Sequence, residues 1–213
     1  FAPPRMNWLS WSVLRWIILA LIAVMIPSFA VAQPVSAMKV SPTAEGNVIE
    51  FVEGDYILAD GLTLPNSGWS RKPTPHIVRI NQTDWRTGDF HSVAGRFRFQ
   101  REVLGEGPFS LYTVSTRNQF SVSVNGVELG SNFGHVSDQI LAWYRPYLIA
   151  IPADVLKPGI NEIIIRVVSQ DSVGVGRVLV GPNAPVRDYY LKQYFRQITA
   201  PMAFNFAMIV LGS

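Results

Sequence analysis

From Phe120 the chain alternates, with Phe120, Val122 and Val124 on one side and Ser121 and Ser123 on the other. That is the period-two pattern of a half-buried strand. Asn125-Gly126 follows at once, and Val127-Glu128-Leu129 resumes the alternation. Asn-Gly between two such runs predicts a hairpin, because a type I′ turn needs positive φ at both central residues. Further on, Tyr147, Ile149 and Ile151 alternate up to Pro152, which cannot donate to a ladder and ends the strand. Ala153 to Leu156 makes about one helical turn, Lys157-Pro158-Gly159 reverses the chain, and Ile163, Ile165 and Val167 form the inward face of the next strand. Ile164 and Val168 on the opposite face predict cover on both sides.

The same reading extends outwards. Val48 to Val52 and Tyr56 to Leu58 read as strands flanking Glu53-Gly54-Asp55, and His76 to Ile80 as another. Arg96-Phe97-Arg98-Phe99 offers two rings to one face and two guanidinium groups to the other. Phe109 to Thr116 and Arg177 to Val180 complete the set, with Gly174-Val175-Gly176 marking a bulge before the closing strand. Asp60 to Pro75 is rich in Pro and Gly and reads as loop, with Trp69 placed to plug one end of the core. The count is about eight to ten strands with no long helix before Pro185, an all-β sandwich or jelly roll.

An antiparallel pair joined through Ile151-Pro152, Leu156, Pro158-Gly159 and Asn161, beside the Asn125-Gly126 hairpin and the strand Glu162 to Val168, resembles the jelly-roll β-sandwich of the galactose-binding-like group. The resemblance covers roughly Trp69 to Pro182. It implies that fold and leaves the ligand open, since fold does not give function.

Both ends of the chain change the picture. After Arg15, Trp16 to Ala32 is uncharged and mostly aliphatic, is interrupted by Pro27, and ends Ala30-Val31-Ala32. This reads as a secretory signal peptide over 1–32, with 1–5 an upstream extension before Met6; a retained signal anchor is the alternative. Residues 33–47 read as a Pro/Ser/Ala-rich linker, 48–185 as an exported jelly-roll domain and 186–200 as a juxtamembrane neck. Tyr190, Tyr194 and Phe195 stand there beside Lys192 and Arg196, the composition of an interfacial belt. From Gln197 onward there is no charge, and Ala203 to Gly212 is nearly all apolar. With no polar stripe to face water, 201–213 read as the opening turns of a transmembrane helix; an amphipathic helix packed on the sandwich is the alternative.

Taken together, the sandwich motifs, Gly181-Pro182 leading into Tyr189 to Arg196, and the final apolar run resemble the N-terminal part of bacterial seven-transmembrane receptors with diverse intracellular signalling modules. The resemblance implies a ligand-sensing β-sandwich in the periplasm or extracellular space, attached to the inner membrane. A histidine kinase or diguanylate cyclase output would lie in other sequence. A different class stays open beside it: a non-catalytic carbohydrate-binding accessory module of an exported hydrolase.

Composition narrows the chemistry. The net charge is +3, and Arg5 and Arg15 are the only charges before Gln33, so the remainder is nearly balanced. With no basic stripe, nucleic acid is not an expected partner. Cysteine is absent, which excludes disulfides, thiol catalysis and thiolate metal sites. The three histidines, His76, His91 and His135, share no ligand spacing, so no metal, no cofactor and no catalytic residue is expected. Binding is the better expectation. Phe133, His135, Trp143, Tyr144 and Arg145 fall in one loop between two strands, and Trp85 in another. Aromatic faces beside a few polar groups on loops of a rigid scaffold suit a carbohydrate or small metabolite. The expected partners are such a ligand, the membrane and a second copy of the chain in a homodimer.

Overall fold

The computed structural model describes residues 35–60, 64–79, 91–115, 119–131, 146–169 and 172–211. Among these residues twelve strands form two antiparallel sheets. Sheet A runs, edge to edge, through β1 (Met38–Thr43), β2 (Gly46–Phe51), β12 (Ser172–Pro182), β7 (Phe109–Ser115) and β10 (Pro146–Ile151), and β5 (His76–Arg79) pairs with the first part of β12. Sheet B runs through β4 (Ser70–Pro73), β3 (Glu53–Asp60), β6 (His91–Gln100), β11 (Ile160–Ser169), β8 (Gln119–Val124) and β9 (Val127–Ser131). From β9 to β12 each successive strand changes sheet.

The inward faces are what the alternation predicts. Phe97, Phe99, Phe120, Val122, Val124, Ile163, Ile165 and Val167 of sheet B meet Ile49, Phe51, Phe109, Leu111, Val178 and Val180 of sheet A in one buried cluster. Phe51 of β2 packs on Phe97 of β6 with ring centroids 5.1 Å apart, so the two sheets touch through aromatic rings. Gly54 and Gly95 flank Phe97 for a steric reason: a Cβ at Gly54 would lie 2.5 Å from the Phe97 ring edge.

The Asn125-Gly126 hairpin forms as a two-residue loop, with Val124 paired to Val127 and φ of 51° and 84° at the two central residues. The Asn125 side chain also ties this turn to the next connection. Its Nδ2 donates to Val155 O at 2.8 Å and to Asn161 Oδ1 at 2.7 Å, and its Oδ1 accepts from Glu162 N at 3.0 Å. Asn161 is fully buried, and its Nδ2 donates to Lys157 O and Gly159 O while its Oδ1 accepts from Lys157 N. The Lys-Pro-Gly-x-Asn run is therefore a turn held from inside by the asparagine that follows it.

Two expectations are corrected and one is refined. Residues 33–47 contain β1, which pairs with β2 over its whole length and is an exposed edge strand. The Asp60 to Pro75 stretch, read as largely loop, holds among its described residues the short β4, an all-exposed Ser-Arg-Lys-Pro edge strand paired to β3. Trp69 does not plug an end of the core; it lies half-buried with the Arg96 guanidinium carbon 4.3 Å from its ring centroid, and Arg96 is on the outward face of sheet B. Cover on both sides of β11 holds for Val168, which is buried, and only partly for Ile164. The bulge expected near Gly174-Val175-Gly176 is present, as a register shift between Val175 and Val178 in the pairing with β7.

After β12 the chain turns into helix α1 (Asn183–Tyr194), a π-helical turn (Phe195–Thr199) and helix α2 (Ala200–Leu211), which follow one another without a break. Asn183 fixes the start: its N donates to Pro108 O at 2.9 Å, and Ser110 Oγ donates to its Oδ1 at 2.8 Å. Val186 is fully buried against Tyr112 and Leu179, with Tyr189 and Tyr190 beside it, so α1 lies on the outward face of sheet A.

Candidate functional site

Register and connectivity place one set of strand ends together. In sheet B, Asp60 pairs with His91, His91 with Ser169, and Ser131 with Ser121. In sheet A, Ser172 pairs with Arg79 and Pro146 with Val114. Only residues 170 and 171 separate Ser169 from Ser172, so these ends belong to the same end of the sandwich. The connection holding Trp85 departs from β5 and returns at β6 here, and the connection holding Phe133, His135, Trp143, Tyr144 and Arg145 departs from β9 and returns at β10 here. All six candidate side chains lie outside the described residues. Among the described residues near these strand ends, Phe120 packs against Tyr147 with ring centroids 4.1 Å apart and joins β8 of one sheet to β10 of the other.

A second polar concentration occupies the outward face of sheet B. Asp55 on β3 accepts from Arg71 Nε at 3.1 Å through one oxygen, and from Arg96 Nη2 and Arg98 Nη1, each at 3.4 Å, through the other. Glu162 on β11 accepts from Arg98 Nε at 2.8 Å. Strand pairing creates this group by setting Asp55 opposite Arg96 and Arg98 opposite Glu162. Arg98 is buried and Asp55 nearly so, so each charge here depends on the others to offset its lost hydration. Sequence reasoning found the two arginines from the Arg-x-Arg alternation. It missed Asp55 and Glu162, because their partners are about forty and sixty positions away.

The third region is the neck. Tyr189 packs edge-on to Tyr112 at 4.9 Å, and its hydroxyl accepts from Arg177 Nη1 at 2.5 Å. Arg177 Nε also pairs with Glu50 Oε1 at 2.8 Å. The Tyr189 hydrogen bond holds the Arg177 guanidinium above its ordinary pKa, and burial pushes the Tyr112 hydroxyl well above its own. Beyond Tyr190 the helix leaves the sheet. Leu191, Lys192, Phe195 and Arg196 are exposed, and in α2 Met202, Phe204, Phe206, Met208, Ile209, Val210 and Leu211 are between 56% and 84% exposed. The alternative of a helix packed on the sandwich therefore describes α1 and not α2. No helix among the described residues is long and apolar enough to cross a membrane.

Titratable groups in the described core read as structural. Tyr56 is pushed up to about 12, by burial against the opposing effect of its 2.7 Å hydrogen bond with Thr74. His76 stacks on Tyr56 at 4.8 Å and is held below its ordinary value, first by burial and then by Lys72. Among the described residues no three His, Asp or Glu side chains stand close enough to hold a metal ion.

No protein-family model matches the chain, and no curated protein matches its sequence. Solved structures overlap with it in part. A β-glucuronidase from an uncultured Clostridium sp. shares 13% identity over 68% of this chain and 31% of its own, with a TM-score of 0.44. A β-glycosidase from Bacteroides vulgatus shares 18% over 63% and 20%, at 0.42. A β-D-mannosidase from Dictyoglomus thermophilum shares 13% over 56% and 15%, at 0.38. The chain spans less than a third of each of these proteins, and at such identity and overlap the likeness says nothing of ligand or activity.

Proposed function

We propose that the chain is the extracytoplasmic ligand-sensing part of a bacterial membrane signalling protein. Its sandwich is a jelly roll of the galactose-binding-like kind, and its final helix is a tether to the inner membrane. The observation that carries this reading is the contrast within one continuous helix. The α1 part is fastened to sheet A, and the α2 part presents large apolar side chains on every side with Asn205 as its one amide. A protein surface covers one side of a helix, whereas hydrocarbon surrounds it. At about 1.5–3 kcal/mol for each large apolar side chain removed from water, seven of them favour lipid by on the order of 10 kcal/mol.

The direction of α1 supports a sensing role. Its contacts advance from Pro108 and Ser110 at Asn183 to Tyr112 and Arg177 at Tyr189, towards the end where the connections holding Trp85, Phe133, His135, Trp143, Tyr144 and Arg145 begin and finish. A carbohydrate or small metabolite held there would sit beside the helix that carries the tether. Such a ligand signals only by binding one arrangement of that helix better than another. The chain itself is proposed to be non-catalytic, with any kinase or cyclase output in further sequence.

The absence of native cysteine makes a direct test available. A fluorophore sensitive to polarity is attached to Phe206→Cys in the full chain and, separately, to Val127→Cys on β9. Mixing with phospholipid vesicles is expected to blue-shift the first and shield it from an aqueous quencher, leaving the second unchanged. Equal quenching at both positions would remove the tether and leave the second reading, an exported carbohydrate-binding module. Ligand is then sought by thermal shift with sugars and small metabolites. Trp143→Ala is expected to abolish the shift and keep the fold; an unfolded variant would place Trp143 in the core instead.

A further inference from the structure

We infer that the neck carries a binding groove for the headgroup of an anionic phospholipid. The inference rests on the membrane reading above. The groove has a volume of about 550 Å³ and is lined by Tyr189, Leu191, Lys192, Gln193, Phe195 and Arg196. Its chemistry is divided. Lys192 and Arg196 stand one helical turn apart, and neither makes an ion pair among the described residues. Gln193 adds a neutral amide, and the Tyr189 hydroxyl, already held by Arg177, fixes the inner wall. Leu191 and Phe195, also one turn apart, form an apolar rim that is 53% and 60% exposed.

Two cations outside any ion pair among the described residues, with Asp188 one turn before Lys192 as the neighbouring acid, stand beside an apolar strip and match a molecule that is anionic at one end and hydrocarbon at the other. The strip runs on into α2, so an acyl chain lying along Leu191 and Phe195 would continue into the same lipid that surrounds Phe204 and Phe206. A phosphate at that depth meets the lysine ammonium and the guanidinium, which binds phosphate through paired N–H donors. The π-helical turn that begins at Phe195 lies at the groove itself, a position where such turns often mark functional sites. Docking of Val186 and Tyr190 on sheet A holds the opposite side of α1 away from solvent and turns the groove outwards, with Tyr189 at its edge.

The test is flotation of the full chain with vesicles of pure phosphatidylcholine and with vesicles containing phosphatidylglycerol as well, at low salt. Each cation near an anionic surface contributes about fivefold to affinity, so the pair is expected to give a preference of about 25-fold for the anionic vesicles. Lys192→Gln with Arg196→Gln should abolish that preference while binding to pure phosphatidylcholine persists. Both side chains are exposed, so the fold is expected to survive, as circular dichroism would verify. Arg187→Gln, an exposed change on the same helix outside the groove, should keep most of the preference. An undiminished preference in the double variant overturns the groove, and so does an equal loss in Arg187→Gln, which would show diffuse charge at work. If inorganic phosphate removes the preference at an ionic strength matched with chloride, the ligand is free phosphate and the lipid assignment falls. Binding to phosphatidylcholine without any anionic preference overturns the groove and leaves the tether. Failure to bind either vesicle overturns both.

Discussion

Sheet A carries Tyr112, Leu179 and Val48 on its outward face and covers them with α1, whereas sheet B carries Asp55, Arg71, Arg96, Arg98 and Glu162 there and pairs them with one another. The first face is held chiefly by loss of water from apolar surface, which is tolerant of geometry, with hydrogen bonds at Asn183 and Tyr189 fastening the helix at two points. The second is held by charges whose hydration has been partly removed, so its stability lies in the completeness of the set. The second face therefore cannot lose a member cheaply.

The largest expected effect comes from breaking the set on sheet B. Asp55→Ala leaves Arg71, Arg96 and Arg98 with Glu162 as their one carboxylate in this set and is expected to destabilise the sandwich by about 3 kcal/mol. Chemical denaturation would measure it, and a loss under about 1 kcal/mol would show that water, and not Asp55, neutralises this face. On sheet A, Leu179→Ala removes packing shared by the sheet and α1 and should cost about 2–3 kcal/mol. It should also expose 183–211 to protease before the sandwich itself is cut; simultaneous cleavage would mean that the helix and sheet open as one unit. Tyr189→Phe deletes only the hydroxyl that accepts from Arg177, with an expected loss of about 1 kcal/mol. If that variant leaves the protease pattern unchanged, ring packing alone docks the helix.

The last and smallest prediction uses pH to separate the faces. Tyr112 and Tyr56 both have raised pKa values, so the folded chain keeps protons that the unfolded chain releases above about pH 10. Their contribution is complete below that pH and is lost as pH climbs through the folded values. Tyr112→Phe should therefore flatten the alkaline loss of helix docking while the Asp55 set is unaffected. A titration of near-ultraviolet circular dichroism with and without the substitution would decide it.

What could be read in the chain depended on how local its cause was. The β8–β9 hairpin was legible because two adjacent residues, Asn125 and Gly126, dictate the turn. The Lys157-Pro158-Gly159 reversal was legible for the same reason, and Asn161 four residues on closes it. Strand β1 escaped notice because Met38 to Thr43 is an exposed edge with no inward face to impose alternation. β4 is four exposed polar or proline residues, and only its pairing to β3 makes it a strand. Arg96 and Arg98 were visible as a pair, but Asp55 and Glu162 become their partners only when strands distant in sequence align. The end of the sandwich that carries the candidate connections follows from strand order, whereas the six aromatic, His and Arg candidates on them lie outside the described residues.

The turn from Phe195 to Thr199 has a geometric corollary. One turn bonded i to i+5 holds about one residue more than its α-helical counterpart, and one residue is ~100° of rotation. Tightening that turn to ordinary bonding would spin Met202 through Leu211 by about a quarter of a revolution while Val186 stayed seated on Leu179. The turn thus decides which side of α2 lies in line with the docked side of α1.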